Sequence, residues 1–283
     1  MTAEIHAIIL TFNEERHIAR CIRSLGDQCA SITVIDSEST DQTREISEDL
    51  GAEILINPFV NHAEQVNFAI DQLAHRNGWF LRIDADEVVD SEASQDLATA
   101  VDSVAADVDG VLIKRRIHFM GRRIRHGGIE PNWQLRLWRS GTGRCENRWM
   151  DEHLIVAGRV QKSEIVLSDI NLNPLDWWIS KHNSYASREA VEVLNSSHHF
   201  KPVDTLPTGA GFHAKKRSFL KNNIYNKVPA ELRSLFYFIF RYFVMLGFLD
   251  GKAGWHFHVL QGFWYRFLVD AKLHEVRKYM KQH

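Results

Sequence analysis

WFLRIDAD, residues 79–86, decides how this chain folds. Trp79–Ile83 is mainly apolar and reads as a strand covered on both faces, and it ends abruptly in two carboxylates one residue apart. Working backwards, Ala63–His75 reads as a helix, and Glu53–Ile56 as a strand that Pro58 stops. Ile32–Ile35 is another strand, ending at Asp36, and Ser37–Asp41 opens a helix that Gly51 closes. Ile5–Leu10 is the first strand. Thr11-Phe12-Asn13-Glu14-Glu15 follows it, with Asn13 the expected helix cap and acids in the first turn. Ile18, Cys21, Ile22 and Leu25 then mark one helix face. This alternation predicts an α/β fold, a mostly parallel sheet with helices on both faces. Thr11–Glu14, Asp36–Asp41 and Asp84–Asp86 all lie just past strand ends, the edge where open α/β sheets bind ligands.

Past residue 109 the pattern changes. Val111–Ile113 reads as a strand running into the basic Lys114-Arg115-Arg116. His126–Asn132 (HGGIEPN) reads as a loop, Trp133–Trp138 as a strand and Trp177–Leu194 as a helix. Residues 195–214 are polar, with Pro202 and Pro207, and read as a linker. Ser234–Leu249 is very apolar, and Trp255–Val269 nearly so.

The 283 residues suit one large domain, or one with an appendage. A hydrophobic fraction of 45% excludes wholesale disorder. Three cysteines, Cys21, Cys29 and Cys145, form neither a disulfide framework nor a zinc motif, so a reducing compartment is expected. Met1–Glu15 lacks the basic start and long apolar run of a secretion signal, so none is expected there. The net charge of −2 hides an asymmetry: residues 213–283 hold 13 Lys and Arg against 4 Asp and Glu, with 16 of the 30 aromatic residues. Such a tail on an acidic body fits an anionic surface.

Asp84 and Asp86 are hard oxygen donors on one turn, suited to Mg²⁺ or Mn²⁺ shared with a diphosphate. In isolation a solvated acidic turn, helped by neighbouring Glu87, is the better explanation of the pair. Asp36 at the second strand tip, and Thr11 and Asn13 at the first, offer groups for a nucleoside, or serve simply as caps and turns. Three such tips on one edge are harder to dismiss than any one.

IILTFNEERHIARCIRSL, then VIDSESTDQT, then RIDADE, resembles the family-2 glycosyltransferases with the GT-A fold. HAEQVNFAID (62–71) is similar to that family's Q-x-N-x-A helix. HGGIEPNWQLRLWR and MDEH (150–153) resemble a bacterial subgroup that builds lipopolysaccharide core and exopolysaccharide, and residues 246–272 resemble the C-terminal signature of exopolysaccharide members. The resemblance implies an inverting transferase using a nucleotide-diphospho-sugar, UDP-linked by preference, with Mn²⁺ or Mg²⁺. It places Thr11, Phe12, Asn13 and Glu14 around the nucleoside, Asp36 on the base, Gln65 and Asn67 near the donor, and Asp84 and Ala85 on ribose and diphosphate. Asp86, with Asp84, would hold the metal.

Inversion needs a base for the acceptor hydroxyl. Glu152 aligns with the family glutamate and is the first choice, with Asp151 the alternate. Asp169 and His153 are candidates for a later metal ligand. Arg136, Arg139 and Trp133 are candidates for acceptor or phosphate contacts, and ordinary ion pairs explain the two arginines equally well. His182 and Tyr185 are candidates for an acceptor cleft. The implied organisation is a catalytic domain over 1–194 (nucleotide half 1–108, acceptor half 109–194), a linker over 195–214 and a helical segment over 215–283. Leu235–Leu249 is short for a membrane span. Its aromatic and basic surroundings, with Lys215, Lys216, Arg217, Lys221 and Lys227, suit a peripheral contact on the inner face of the cytoplasmic membrane, and a buried helical pair is the alternative. A glycan or lipid-linked acceptor is expected, no nucleic acid, and a homo-oligomer is left open. Competing readings are a sugar nucleotidyltransferase, against which stands the lack of a Gly-rich phosphate loop, and a non-catalytic membrane scaffold.

Overall fold

The computed structural model describes residues 3–92, 95–146, 153–198 and 230–282. They form two compact units, one of residues 1–123 and 131–172, the other of 124–130 and 173–283.

The first unit begins β1 (Ile5–Thr11), α1 (Ile18–Leu25), β2 (Ser31–Asp36), α2 (Thr43–Asp49), β3 (Glu53–Ile56), α3 (His62–Gln72) and β4 (Trp79–Asp84). It continues with β5 (Glu87–Val89), α4 (Leu97–Asp102), β6 (Val108–Phe119), the short β7 (Arg122–Ile124), β8 (Trp133–Arg139), β9 (Gly143–Cys145), β10 (Leu154–Val156) and β11 (Arg159–Ile170). The main sheet runs β3-β2-β1-β4-β8-β6-β11-β5. β3, β2, β1 and β4 are mutually parallel, as expected. β8 then enters antiparallel to both β4 and β6, β11 runs parallel to β6, and β5 closes the edge antiparallel to β11. The sheet is therefore mixed, its parallel half carrying the polar strand-end motifs.

Alternation along β1 explains the two layers. Ile5, Ala7 and Ile9 face Ile18, Cys21, Ile22 and Leu25 of α1 in one core. Ile8 faces Ala63, Val66, Ala69 and Ile70 of α3 in the other. Asn13 does not cap α1. It adopts a left-handed conformation (φ 56°) and its side-chain oxygen accepts the Thr40 N–H at 2.9 Å, so α1 starts only at Ile18. The cap of α3 is Asn61, whose side chain accepts the Glu64 N–H at 2.8 Å. The basic run Lys114–Arg116 continues the strand rather than ending it, because β6 reaches Phe119.

The second unit holds α5 (Leu175–His198), α6 (Ala230–Ile239), α7 (Gly251–Phe257) and α8 (Tyr265–Gln282), with π-helical and 3₁₀ turns between α6 and α8. The first compact unit ends at Leu172, and α5 falls in the second. There Ala186, Ala190 and Leu194 of α5 pack on Tyr265, Val269 and Leu273 of α8. Glu189 ties the pair, accepting from the Tyr265 hydroxyl and the Arg266 guanidinium at 2.7 Å each. Trp178 and His182, on α5, stack at 3.5 Å between ring centroids. The expected linker overlaps α5 up to His198, and the rest of it lies outside the described residues, as do Lys215, Lys216, Arg217, Lys221 and Lys227.

His258 is fully buried between Gly127 and Gly247. Burial and Arg241 push its imidazole down to about 4, so it packs as a neutral ring. A Cβ on Gly127, which has φ +70°, would stand 2.1 Å from the His258 Cε1. Gly127→Ala should therefore cost at least about 1–3 kcal/mol, the usual overpacking penalty, readable by urea denaturation.

Candidate active site

The parallel strands deliver their polar termini to one edge of the first unit. At the tip of β2, Asp36 is fully buried. Its Oδ2 accepts from the Thr11 hydroxyl (2.8 Å) and the Ser39 hydroxyl (2.6 Å), and its Oδ1 from the Ser39 N–H (2.8 Å). Asp36 thus shapes the Ser37–Ser39 turn from beneath. Above it Phe12 is 58% exposed, an uncovered aromatic face beside Asn13. The Glu14 carboxylate bonds the His17 Nδ1 at 2.6 Å, and the His17 Nε2 accepts the Leu172 N–H at 2.9 Å, which fixes the proton on Nδ1.

At the tip of β4 the two aspartates have different environments. Asp84 is clamped by the Arg136 fork, at 2.8 Å to Oδ2 and 3.2 Å to Oδ1. Burial opposes its charge, but Arg136, Arg82 and Arg115 outweigh that and hold its carboxyl well below the usual range. Glu87, fully buried, accepts the Asp84 N–H at 3.0 Å, the Arg115 Nε at 2.6 Å and the Arg136 Nη2 at 3.1 Å. Arg115 reaches on to the Asp169 Oδ2 at 2.7 Å. Burial and the surrounding carboxylates push Asp169 up to about 7 against the pull of Arg115. Asp86 carries one side-chain bond among the described residues, from the Asn171 Nδ2 at 2.9 Å to its Oδ2. Its carbonyl is held by the Ile170 N–H at 3.0 Å.

Several sequence candidates take structural positions. Gln65 is buried and donates to the carbonyls of Asn57 (2.9 Å) and Pro58 (3.1 Å), fixing the turn after β3. Asn67 bonds both the N–H and the carbonyl of Cys145, at 2.9 and 3.0 Å, pinning β9. Arg139 sits at the opposite end of the sheet from Asp84. It pairs in register with Trp79, stacks 4.4 Å from that ring and donates to the Val108 carbonyl, so it is not brought together with Asp84 and Asp86. Trp133 is flanked by Lys114 and Lys162 at 5.2 and 5.0 Å. His153 is exposed and its Nδ1 lies 3.7 Å from Glu146. Asp151 and Glu152 fall outside the described residues, between β9 and β10, whose ends are joined by the Glu146 N–H on the His153 carbonyl at 2.9 Å.

Among the described residues no three His, Cys, Asp or Glu side chains converge as a ready-made metal cage. The donor set still suits a metal brought with a diphosphate. Mg²⁺-like ions are commonly held by one or two carboxylates plus substrate phosphates, and Asp86 has an oxygen to give. Asp84 and Asp169 are both committed to arginines.

The sequence profile described as Glycosyl transferase family 2 matches residues 6–158, over half of the chain. A lipopolysaccharide core biosynthesis glycosyltransferase, LpsC, of Rhizobium meliloti (strain 1021) is 30% identical over 200 residues, covering 68% of this chain and 72% of that protein. The chain belongs to glycosyl transferase family 2. An uncharacterized glycosyltransferase, RC0292, of Rickettsia conorii is 39% identical over 97 residues, covering 34% of each chain. Among solved structures, S. aureus TarS 1–349 is similar with a TM-score of 0.44 at 17% identity, over 99% of this chain and 91% of that one. Glucosyl-3-phosphoglycerate synthase from Mycobacterium tuberculosis, in complex with Mn²⁺ and UDP-glucose, is similar over 41% of this chain and 44% of that one, with a TM-score of 0.31 at 22% identity. This glycosyltransferase has the α/β fold class that its N-terminal motifs imply.

The sequence points to Asp84, Asp86 and Arg136 but not to Glu87 and Arg115, which join Asp84 and Arg136 in one network. Glu87 reads as one more surface acid and Arg115 as part of a basic run. Only the alternation of β6 signals that Arg115 faces opposite to Lys114 and Arg116.

Proposed function

We propose that this glycosyltransferase is metal-dependent and inverting. It moves a sugar from a nucleotide-diphospho-sugar, UDP-linked, to a glycan or polyprenyl-diphosphate-linked acceptor in lipopolysaccharide-core or related surface-polysaccharide synthesis. The observation that carries this reading is the unequal pair at the β4 tip: Asp84 neutralised by Arg136, Asp86 left with a carboxylate oxygen to offer. The LpsC similarity supports the pathway class.

On this reading Phe12 and Asn13 flank the nucleoside, and the Asp36–Ser39 turn shapes the pocket floor. Asp86 would hold Mn²⁺ or Mg²⁺, which when bound neutralises charge on the diphosphate leaving group. Arg136 and Arg115 offset the carboxylates gathered at this edge, so the anionic donor is not repelled. Glu152, or Asp151, takes the acceptor hydroxyl's proton as that oxygen attacks the anomeric carbon and the nucleoside diphosphate departs. Asn67 fixes β9, the strand leading into that segment.

Thermal unfolding with a panel of nucleoside diphosphates and nucleotide sugars, with Mn²⁺, Mg²⁺ or EDTA, tests the donor reading. The expected result is a metal-dependent stabilisation by the uridine compounds, about 2.7 kcal/mol at a hundredfold excess over Kd. No shift with any nucleotide would return the scaffold reading. Glu152→Gln should keep that shift while transfer falls about 10²–10⁴-fold. If only Asp151→Asn does so, the base is Asp151.

A further inference from the structure

Part of the second unit is built inside out. Between Leu232 and Leu249 the polar side chains turn inward. Ser234 is fully buried, and Arg241 is 6% exposed. The Arg241 Nε donates to the Gly127 carbonyl and its Nη1 to the Gln261 Oε1, both at 2.8 Å. Arg233 donates to Asp270 at 2.6 Å. Just past the stretch, Asp250 is buried, accepting the N–H groups of Arg125 (3.1 Å) and His126 (2.9 Å) and bonding the His126 Nδ1 at 2.7 Å. The large apolar side chains of the same stretch point out: Phe236 is 56% exposed, Phe243 55%, Val244 63% and Leu249 50%. A helix that faces water shows the opposite arrangement. Contiguous apolar surface of this kind marks a binding face.

We propose that the face from Phe236 to Leu249 seats the protein on an anionic lipid bilayer, with its apolar side chains in the acyl boundary and the flanking cations at lipid phosphates. Three observations select a bilayer as the occupant. Lys252 lines one surface recess with Tyr242, Phe248 and Trp255, so a cation and interfacial aromatics share the rim. Arg125 is exposed on the loop that Asp250 and the Met245 carbonyl hold in place. The tail of 13 basic against 4 acidic residues attracts an anionic surface that the rest of the chain, with its acidic excess, does not.

The geometry also says how deep the face goes. Among the described residues no single helix is long and apolar enough to cross a membrane. The runs Leu232–Val244 and Gly247–Met280 meet at a 71° bend, with Leu246 in the left-handed region at the corner (φ 60°). The first run is roughly 20 Å long, against a hydrocarbon core of about 30 Å. The bend therefore inserts as a wedge, monotopically. This inference stands on the second unit alone and does not depend on the donor reading.

The test is co-sedimentation of the full chain with vesicles of phosphatidylcholine, with and without phosphatidylglycerol. The expected result is binding to the anionic vesicles that weakens with salt. The double substitution Phe243→Glu, Val244→Glu should lower the vesicle partition at least about tenfold, while the circular-dichroism melt stays unchanged because both side chains are already exposed. Lys252→Glu should reduce the salt-sensitive part. Absence of binding to anionic vesicles by folded protein overturns the proposal. So does binding that survives the double substitution. A dimer seen by light scattering that the double substitution dissociates, with no vesicle binding, would assign the face to a second copy instead.

Discussion

Arg136→Met should be the most destabilising single change at the donor edge, lowering unfolding free energy by about 3–5 kcal/mol, the range for breaking one side of a buried ion pair. The methionine fills the volume but leaves the Asp84 carboxylate without its fork and fully buried Glu87 with Arg115 as its one paired cation beside the Asp84 N–H. Arg136→Lys should recover part of the loss, since a point charge answers the carboxylates but not their two-oxygen geometry. The pH dependence carries its own signature. Asp84 is held below its ordinary value of 3.8, so it contributes stability that is present above 3.8 and lost as pH falls through its lower folded value. That acid limb should flatten in Arg136→Met, as measured by urea titrations from neutral to acid pH. Wild-type stability in Arg136→Met would show that the clamp carries no net energy.

Asp86→Asn should separate catalysis from folding. The change keeps the side chain's size, and with one side-chain bond to lose, the stability cost should stay within about 0.5–1.5 kcal/mol. Transfer should fall by at least about 10²–10³-fold, the equivalent of the several kcal/mol that a metal supplies to a departing diphosphate. Donor-dependent stabilisation should lose its response to Mn²⁺ and EDTA. Asp84→Asn should instead cost stability, because it unbalances Arg136. Full transfer by Asp86→Asn would remove Asp86 from the metal role. Steady-state rates at saturating donor, beside melting curves of both variants, make the comparison.

Local signals were read well from the sequence, and non-local ones were not. The Ile18, Cys21, Ile22, Leu25 face of α1 is wholly buried, and Glu53–Ile56 is a strand with the expected bounds. Both follow from periodicity and punctuation within a few residues. The start of α1 was misjudged because Asn13 answers to Thr40, which lies in the next crossover. The antiparallel insertion of β8 escaped the reading since apolar alternation looks alike in either direction. β11 escaped because its first half is polar and exposed. The two carboxylates of the β4 turn were legible as a pair, while their division of labour depends on Arg136, 52 residues away from Asp84. Gln65 and Asn67 were placed on the right helix, but their amides hold backbone carbonyls and N–H groups that no spacing rule announces.

The stitching of the donor edge to the end of β11 has a consequence for biosynthesis. Asp86 is bonded by Ile170 and Asn171, and His17 accepts from Leu172, 155 residues downstream. Every motif of the nucleotide half leaves the ribosome well before these partners exist. Until residues 159–172 arrive, β6 lacks its parallel neighbour and Asp86 its ties. Closure of such distant pairs is the slow part of folding, since the chain entropy is spent before the contact repays it. A nascent chain stopped near residue 158 carries all the donor signatures without the brackets that shape them. The ties of Asp86 and His17 therefore wait for β11 to zip into the sheet.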